Sequence, residues 1–172
     1  MKVYLFPTEL EAAAFREQEP NAKVIISGVG QAATAAALAS IVRQYGANVC
    51  YVLAGIAGAY GDAVAVGEVV EVLSEQCAEL PARFIEEYRV VPRTMLRGVR
   101  SNTVSRGDKA LQGAEIENME GAVLFAMAER LGLNVMQIRA ISNRVGDSFE
   151  KWSIKEALEA LTEALIKIER GE

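Results

Sequence analysis

Histidine is absent from all 172 residues of the chain. Ser-His-Asp triads, Cys-His dyads and every metal site that uses histidine are therefore excluded. Cysteine is scarce too, because Cys50 and Cys77 are too few for a zinc cluster or a disulfide framework. We accordingly expect a reduced, cytoplasmic protein with neither a metal nor a cofactor.

Positive charge and long apolar runs are also in short supply. The chain has 18 Lys and Arg against 23 Asp and Glu, a net charge of −5 with no basic cluster, which argues against a nucleic-acid surface. The longest uncharged run, residues 44–61, contains Gln44, Asn48 and four glycines, so it indicates a buried strand and a tight loop, not a membrane span. The 51% apolar content suffices for the core of one domain over residues 1–172.

Strand-like and helix-like segments alternate along the chain. This alternation predicts an α/β fold with a mostly parallel central sheet flanked by helices. Ligands of such folds bind beyond the carboxyl ends of the strands, which indicates residues 7–11, 28–30, 55–58 and 142–143. The patterns predict strands at 3–6, 22–27, 49–54, 67–73, about 102–105 and 134–141, and helices from Thr8, at 31–44, at 116–131 and from Ser153 onward.

Without histidine, acid–base chemistry falls to carboxylates, amides, Tyr, Lys or Cys. Glu11 follows the first predicted strand, where a ligand can reach it, but its spacing from Thr8 is also that of a helix capping box. Spacing alone leaves both roles open. Ser153 and Glu156 have the same capping-box spacing ahead of the last helix.

Three carboxylates, Glu115, Glu117 and Glu120, crowd what we predict as a helix start, where the helix dipole favours negative charge. Glu120 is expected inside that helix and partly buried, so it needs a partner, either Arg139 or a hydroxyl of a ligand. Further on, Ser142 and Asn143 end a predicted strand, and both residue types are also ordinary in turns.

Two glycines, Gly28 and Gly30, close the second predicted strand. They do not complete the dinucleotide-binding pattern GxGxxG, because Ala33 occupies the position of its third glycine. A dinucleotide fold is therefore disfavoured.

Four stretches occur in one order along the chain: SGVGQAATAAAL, LAGIAGAYGD followed by VGEVV, EIENMEGAVLFAMAERLG, and QIRAISN. In this order they resemble the purine nucleoside phosphorylase and nucleosidase superfamily. Within it the chain resembles the futalosine hydrolases of menaquinone biosynthesis, which are similar to the methylthioadenosine/S-adenosylhomocysteine nucleosidases. The resemblance implies a mixed central sheet flanked by helices, shortened between residues 78 and 115, and a homodimer or higher homo-oligomer.

The same resemblance implies hydrolysis of an N-glycosidic bond through an oxocarbenium-like transition state, and it assigns roles to individual residues. Glu11 would activate the attacking water, and Asn143 stands where the nucleosidases carry the aspartate that protonates N7 of the purine. The substrate-binding residues implied are Asn118, Met119 and Glu120 at the ribose, Ile56, Ala57 and Gly58 in the third-strand loop, and Thr103 and Val104 where relatives carry a stacking aromatic ring.

Individual residues of this chain narrow the expected reaction and substrate. Related phosphorylases hold phosphate with an arginine and a hydroxyl where this chain has the apolar Leu53 and Ile56, so hydrolysis is favoured over phosphorolysis. The Asn143 amide can donate towards both N7 and O6, which suits a 6-oxopurine such as hypoxanthine. A methylthioadenosine/S-adenosylhomocysteine nucleosidase, a phosphorylase and a non-catalytic nucleoside-binding protein stay open as alternatives, and so does Asp147 in place of Asn143.

Overall fold

The computed structural model describes residues 1–107 and 113–172, and residues 108–112 of the segment expected to be shortened lie outside that description. Two short 3-10 turns, Ala82–Phe84 and Phe149–Lys151, accompany the longer elements. In chain order these elements are β1 (Lys2–Phe6), α1 (Glu9–Gln18), β2 (Lys23–Ile26), α2 (Gln31–Tyr45), β3 (Cys50–Ala59), β4 (Val69–Cys77), β5 (Glu87–Arg89), β6 (Arg97–Thr103), β7 (Ile116–Asn118), α3 (Gly121–Leu131), β8 (Asn134–Arg144) and α4 (Ile154–Arg170).

One mixed sheet organises the described part of the chain. Its strands run in the order β2-β1-β3-β7-β6-β4-β5, and β8 pairs with both β3 and β4. β1 is parallel to β2 and β3, and β3 is parallel to β8, whereas β4 runs antiparallel to β8. The predicted α/β class with a mixed central sheet is confirmed.

Helices cover the two faces of this sheet with separate apolar clusters. On one face, Leu38 of α2 and Phe125 of α3 pack against buried strand residues. On the other, Phe15 of α1 packs together with Leu161 and Leu165 of α4. Residues at helical spacing bury one side of each helix, which explains why the apolar period predicts α4. The alanine-rich composition of residues 31–44, without Gly or Pro, predicts α2.

The helix predicted over residues 116–131 begins later than expected, and the prediction was wrong for its first part. Ile116–Asn118 form β7, which pairs in parallel with the end of β6 and antiparallel with the end of β3. Pairing with two distant strands overrides the local helical pattern there. Glu120 is consequently the residue that precedes α3, and not part of its interior.

Two predicted strands extend further than expected. β3 continues through residues 55–58 and β8 through residues 142–143, because the two strands pair along their whole length with an irregularity between Ala57 and Gly58. The supposed glycine loop and the supposed turn are therefore strand ends. The strand predicted near 102–105 is the end of β6, and the one predicted at 67–73 begins at Val69 and runs to Cys77.

The two predicted caps differ in outcome. The Thr8 hydroxyl accepts the Glu11 backbone N–H at 3.3 Å, as an N-cap does. Ser153 precedes α4 but makes no capping bond with its side chain, so the capping box predicted there was wrong. Both cysteines are free, and no helix in the described ranges is long and apolar enough to cross a bilayer.

Candidate active site

A cavity of about 320 Å³ opens where several strands reach their carboxyl ends. The loop after β1, the end of β3, the β7–α3 junction, the end of β8 and the segment before α4 form its walls. The predicted ligand-binding edge of the sheet is thus where the cavity lies. Its lining residues include Thr8, Glu11, Val29, Ile56, Ala57, Gly58, Val104, Glu117, Asn118, Met119, Glu120, Arg139, Ser142, Asn143, Phe149 and Trp152.

Glu11 lies in the first turn of α1 and turns its carboxylate towards β3. One oxygen, Oε1, accepts the backbone N–H of Ile56 at 3.0 Å, and Oε2 accepts the hydroxyl of Thr8 at 2.6 Å. The side chain is 8% exposed and lines the cavity. The carboxylate of Glu11 thus forms part of the cavity wall. Because its oxygens bond to these two groups, it does not accept the backbone N–H of Thr8, which would be the second bond of a capping box.

Gly55 is required where Glu11 and Arg139 approach β3. A Cβ at this position would lie 2.8 Å from Oε1 of Glu11 and 2.7 Å from Nη1 of Arg139, and both distances are too short for a real contact. The first glycine of the GIAG stretch therefore makes room for two charged side chains.

Glu120 and Arg139 form a buried ion pair, with 3.0 Å between Oε2 and Nη2. The other carboxylate oxygen accepts the backbone N–H of Gly30, also at 3.0 Å, and Glu120 lies at the N-terminus of α3, where the helix dipole favours its charge. The expected partner Arg139 is confirmed. Each carboxylate oxygen keeps a lone pair that can accept a hydroxyl at the cavity surface.

The guanidinium of Arg139 makes two further bonds that hold it in place. Nη2 also donates to Oδ1 of Asn118 at 3.0 Å, and Nη1 donates to the carbonyl of Ile56 at 3.3 Å. A buried charge pair is tolerated when its geometry is good and most of its donors find partners. Both Nη atoms of Arg139 do so, whereas its buried Nε has no hydrogen-bond partner among the described residues. Arg139 thereby links the ends of β3 and β7 to the start of α3.

Asn118 joins this pair to a second buried carboxylate, Glu75. Its Oδ1 accepts the backbone N–H groups of Glu120 and Gly121 at 2.8 and 2.7 Å. Its Nδ2 donates to Oγ of Ser101 at 2.7 Å and to Oε1 of Glu75. Together with the bond from Arg139 to Oδ1, five hydrogen bonds fix which way the amide points.

Glu75 itself is fully enclosed at the end of β4. Besides Asn118, Nε2 of Gln137 donates to its Oε1 at 2.9 Å, and the Thr103 hydroxyl donates to its Oε2 at 2.9 Å. Burial raises the pKa of this carboxyl, while the three donors and Arg139 act in the opposite direction. Neither residue stands out in the sequence, because Gln137 lies within an ordinary strand pattern and Glu75 lies beyond the predicted end of the strand at residue 73.

Asn143 lies near the end of β8 with its amide at the cavity wall. Its Oδ1 accepts the hydroxyl of Ser142 at 2.8 Å, and its Nδ2 donates to the carbonyl of Arg144 at 3.0 Å. The second hydrogen on Nδ2 is left for a ligand. Asp147, the alternative candidate, accepts the backbone N–H of Arg144 at 3.0 Å and is not part of the cavity wall.

The other residues that the resemblance implied fall into two groups. Ile56, Ala57, Gly58, Met119 and Val104 line the cavity together with Glu11 and Glu120. Thr103 does not line it. Its hydroxyl is buried between Glu75 and the backbone N–H of Ala122, which it accepts at 2.7 Å.

Two aromatic side chains at the cavity were missed by the sequence analysis. Phe149 and Trp152, in the segment between β8 and α4, line one wall with their ring centroids 5.3 Å apart. Their spacing of three residues just after the RAISN stretch is a signal that could have located them. Glu117, which accepts the Tyr60 hydroxyl at 2.6 Å, also lines the cavity, and burial together with this bond raises the pKa of Tyr60.

The charge of the cavity wall is predominantly negative. Among the described residues that line it, Arg139 is the single cation, and Glu11, Glu117 and Glu120 are carboxyl side chains. No group of three residues in the described ranges could hold a metal ion. Such a wall suits a neutral ligand with hydroxyl groups that acquires positive charge as it reacts.

These features define the class of protein: an α/β fold whose carboxylate-lined cavity lies at the carboxyl ends of parallel strands. The family model for the Phosphorylase superfamily matches residues 75–170, and the futalosine hydrolase of Thermus thermophilus is 32% identical over 215 aligned positions, covering 98% of this chain and 95% of that protein. The chain belongs to the phosphorylase superfamily. The alignment is longer than the chain, so that relative carries residues without a counterpart here.

Solved structures share the fold at lower sequence identity. A futalosine hydrolase mutant of Helicobacter pylori is similar with a TM-score of 0.84 and 11% identity, covering 99% of both chains. The 5′-methylthioadenosine/S-adenosylhomocysteine nucleosidase of Neisseria meningitidis, solved in complex with methylthio-immucillin-A, gives a TM-score of 0.83 at 17% identity and the same coverage. The mixed sheet and its helices are therefore those of this group of folds.

Proposed function

We propose that this chain is a nucleosidase that hydrolyses the N-glycosidic bond of a 6-oxopurine nucleoside. Futalosine is the first candidate, giving hypoxanthine and dehypoxanthine futalosine in menaquinone biosynthesis. One observation carries the proposal: the carboxylates of Glu11 and Glu120 line the same cavity, one held by neutral donors and the other paired with Arg139. The Thermus relative, which is named a futalosine hydrolase, supports it.

Glu120 is the proposed ribose ligand. Its oxygens are fixed by Gly30 and Arg139, so they keep one position when a sugar arrives. Hydrogen bonds from the 2′- and 3′-hydroxyls to a charged acceptor are each worth about 1.5–3 kcal/mol. Met119, the neighbouring wall residue, offers an apolar surface to the sugar ring.

Glu11 is the proposed base that activates water. Its oxygens are held by the Ile56 N–H and the Thr8 hydroxyl, which leaves lone pairs for a water molecule in the cavity. As the bond between C1′ and N9 breaks, its electron pair goes to the purine, and the water oxygen bonds to C1′ while Glu11 takes the proton. The negative wall stabilises the oxocarbenium-like charge that develops on the ribose.

Asn143 is the proposed ligand of the leaving base. The free hydrogen on its Nδ2 can donate towards N7 and O6 of hypoxanthine, which stabilises the electron density that the base gains. Phe149 and Trp152 supply the aromatic surface on which a purine can stack, in place of the ring that Thr103 and Val104 lack. In a 6-aminopurine, the amino group at position 6 is itself a donor and would face the N–H donor of Asn143. This disfavours the methylthioadenosine alternative.

Hydrolysis fits this cavity better than phosphorolysis. Leu53 is fully buried, Ile56 is apolar, and the single cation among the described lining residues is already paired with Glu120. A phosphate dianion would thus enter a wall of carboxylates without a free cation. A non-catalytic nucleoside-binding protein, the other alternative, would have little need for the carboxylate of Glu11.

We further propose that the chain forms a homo-oligomer, with a dimer as the first candidate. Leu10, Val29 and Phe149 line the cavity and are each more than half exposed, so its mouth carries an apolar rim that a second copy can cover. Light scattering at micromolar concentration is expected to give a multiple of the 18.6 kDa chain mass. A particle of 18.6 kDa would contradict this proposal.

The proposed reaction is tested by incubating the protein with futalosine, inosine and methylthioadenosine, with and without phosphate, and measuring free base by chromatography. We expect hypoxanthine from the first two at a rate that phosphate does not change. Release that depends on phosphate would favour the phosphorylase, and preferred release of adenine would favour the methylthioadenosine nucleosidase. Binding without release of any base would leave the nucleoside-binding protein.

A further inference from the structure

We propose that Glu75 is a positioning residue for ribose recognition: it holds the Asn118 amide in the one orientation that places Glu120 and Arg139 at the sugar. The inference rests on the proposed nucleosidase function and extends it to a residue outside the cavity. Glu75 does not line the cavity and therefore acts through other residues. It lies on β4, 42 positions before Glu117 and 46 positions before Gly121 in the chain. Asn118 and Glu120 lie between these two residues.

The carboxylate of Glu75 receives one hydrogen bond from each of three other strands. Its donors are Thr103 at the end of β6, Asn118 at the end of β7 and Gln137 within β8. Each donor lies on a strand that carries or adjoins a residue of the cavity wall. A fully buried acceptor with three donors fixes their side chains, since leaving any of these groups unpaired is costly.

The consequence for Asn118 is an amide that cannot turn over. Nδ2 points to Glu75 and Ser101, so Oδ1 must point the other way, towards the first N–H groups around α3 and towards Arg139. If Nδ2 lost Glu75 as its acceptor, the amide could rotate and present a donor to the Arg139 guanidinium. Arg139 would then lose a partner and shift relative to Glu120.

The start of α3 shows how closely Glu75 supports this region. A Cβ on Gly121 would overlap Oε1 of Glu75 and the amide of Gln137. The glycine that follows Met119 and Glu120 in the chain is thus needed because the helix begins directly against Glu75. The orientation of the Asn118 amide, the pairing of Glu120 with Arg139 and the start of α3 therefore all depend on the carboxylate of Glu75.

Two conservative substitutions separate the reach of the side chain from its charge. Glu75→Asp keeps the carboxylate but withdraws it by about 1.5 Å, one carbon–carbon bond, so it no longer meets Asn118. Glu75→Gln keeps the reach and an acceptor oxygen while it removes the charge. Glu71→Asp is the matched control, because Glu71 is a buried carboxylate on the same strand that accepts the N–H groups of Arg93 and Thr94 away from the cavity.

The readout is the preference for inosine over 2′-deoxyinosine, measured as the ratio of their kcat/KM values, and as the ratio of their Kd values in a Glu11→Gln background. We expect Glu75→Asp to lower this preference by about tenfold, because a misplaced Glu120 no longer distinguishes the 2′-hydroxyl. Glu75→Gln should stay within about threefold of the unchanged chain, and Glu71→Asp should not change the preference. A purely structural role would reduce the values for both nucleosides equally and leave the ratio unchanged.

An unchanged ratio in Glu75→Asp would overturn the inference. A large loss in Glu75→Gln without one in Glu75→Asp would overturn it too, because charge and not reach would then matter. The ratio of Kd values keeps this test independent of the proposed function. If the unchanged chain releases no base, the nucleosidase proposal is contradicted. The effect of Glu75→Asp on the preference for binding inosine over 2′-deoxyinosine still tests the role of Glu75. Thermal unfolding of all variants verifies that they fold.

Discussion

At the scale of single residues, Glu11 is held by two neutral donors, the Ile56 N–H and the Thr8 hydroxyl. Glu11→Gln preserves the shape of the side chain but cannot take a proton from water. We expect turnover to fall by about 10²–10⁴, typical of a lost general base, while nucleoside affinity stays within a few fold. Steady-state kinetics and calorimetry measure the two quantities.

Glu9→Gln is the control for Glu11, because Glu9 lies in the same turn of α1 but pairs with Arg16 at the surface. It should leave turnover unchanged. If Glu11→Gln keeps the activity of the unchanged chain, Glu11 is not the base, and its side chain only joins Thr8 to Ile56.

Asn143 offers a second test at this scale. Asn143→Asp replaces the free N–H donor by an oxygen that can accept from a 6-amino group, so the preference for inosine over adenosine should narrow by roughly ten- to a hundred-fold. The ratio of the two kcat/KM values measures it. Asp147→Asn, which alters a carboxylate outside the cavity wall, should leave the ratio unchanged. An unaltered ratio in Asn143→Asp would mean that this residue does not contact the base.

At the scale of elements, the start of α3 depends on the absence of a side chain at Gly121. Gly121→Ala would push a methyl group into Glu75 and Gln137, so we expect a loss of about 1–3 kcal/mol in the free energy of unfolding and a weaker affinity for nucleosides. Urea denaturation and calorimetry measure these effects.

Gly132→Ala at the other end of α3 is the comparison for Gly121→Ala. Its φ of +64° makes alanine unfavourable by about 1–2 kcal/mol, but nothing lies within 4 Å of the added methyl group. This variant should lose stability without a change in nucleoside affinity. Equal affinities in the two variants would show that Gly121 serves the helix alone.

At the scale of the whole molecule, the stability of the fold should depend on pH through Glu75. Burial raises the pKa of this carboxyl, so over a range above the ordinary glutamate value the folded chain holds a proton that the unfolded chain has released. The unfolded state then binds fewer protons, and the free energy of unfolding falls as pH rises through that range. The contribution is fully present below the ordinary pKa and is lost above the raised one.

Glu75→Gln isolates this effect, since the remaining carboxyl groups are common to both chains. The free energy of unfolding of the variant, relative to the unchanged chain, should increase as pH rises through the range above the ordinary glutamate pKa of about 4.3. Urea denaturation across that range measures the difference. A difference that stays constant with pH would show that Glu75 titrates as an ordinary glutamate.

For Glu120 the sequence left two partners open, Arg139 and a ligand hydroxyl. By itself it determined the α/β class and the edge of the sheet where the cavity lies. Local patterns suffice for these features. Alanine-rich composition located α2, the apolar period located α4, and parallel strands place their carboxyl ends at one edge. The stretches that carry Glu11, Glu120 and Asn143 were also visible, although their catalytic and binding roles stay predictions until the variants above are measured.

Only the tertiary structure decided where β7 ends and α3 begins, which aromatic rings face the cavity and which buried groups hold the site. Glu120 accepts the N–H of Gly30 from 90 positions away, and Glu75 accepts from Gln137 across 62 positions. A hydrogen bond between such distant residues leaves no periodic trace near either of them. Its partners are set by strand pairing across the whole sheet, because the arrangement that the strands adopt together decides which buried donors and acceptors meet.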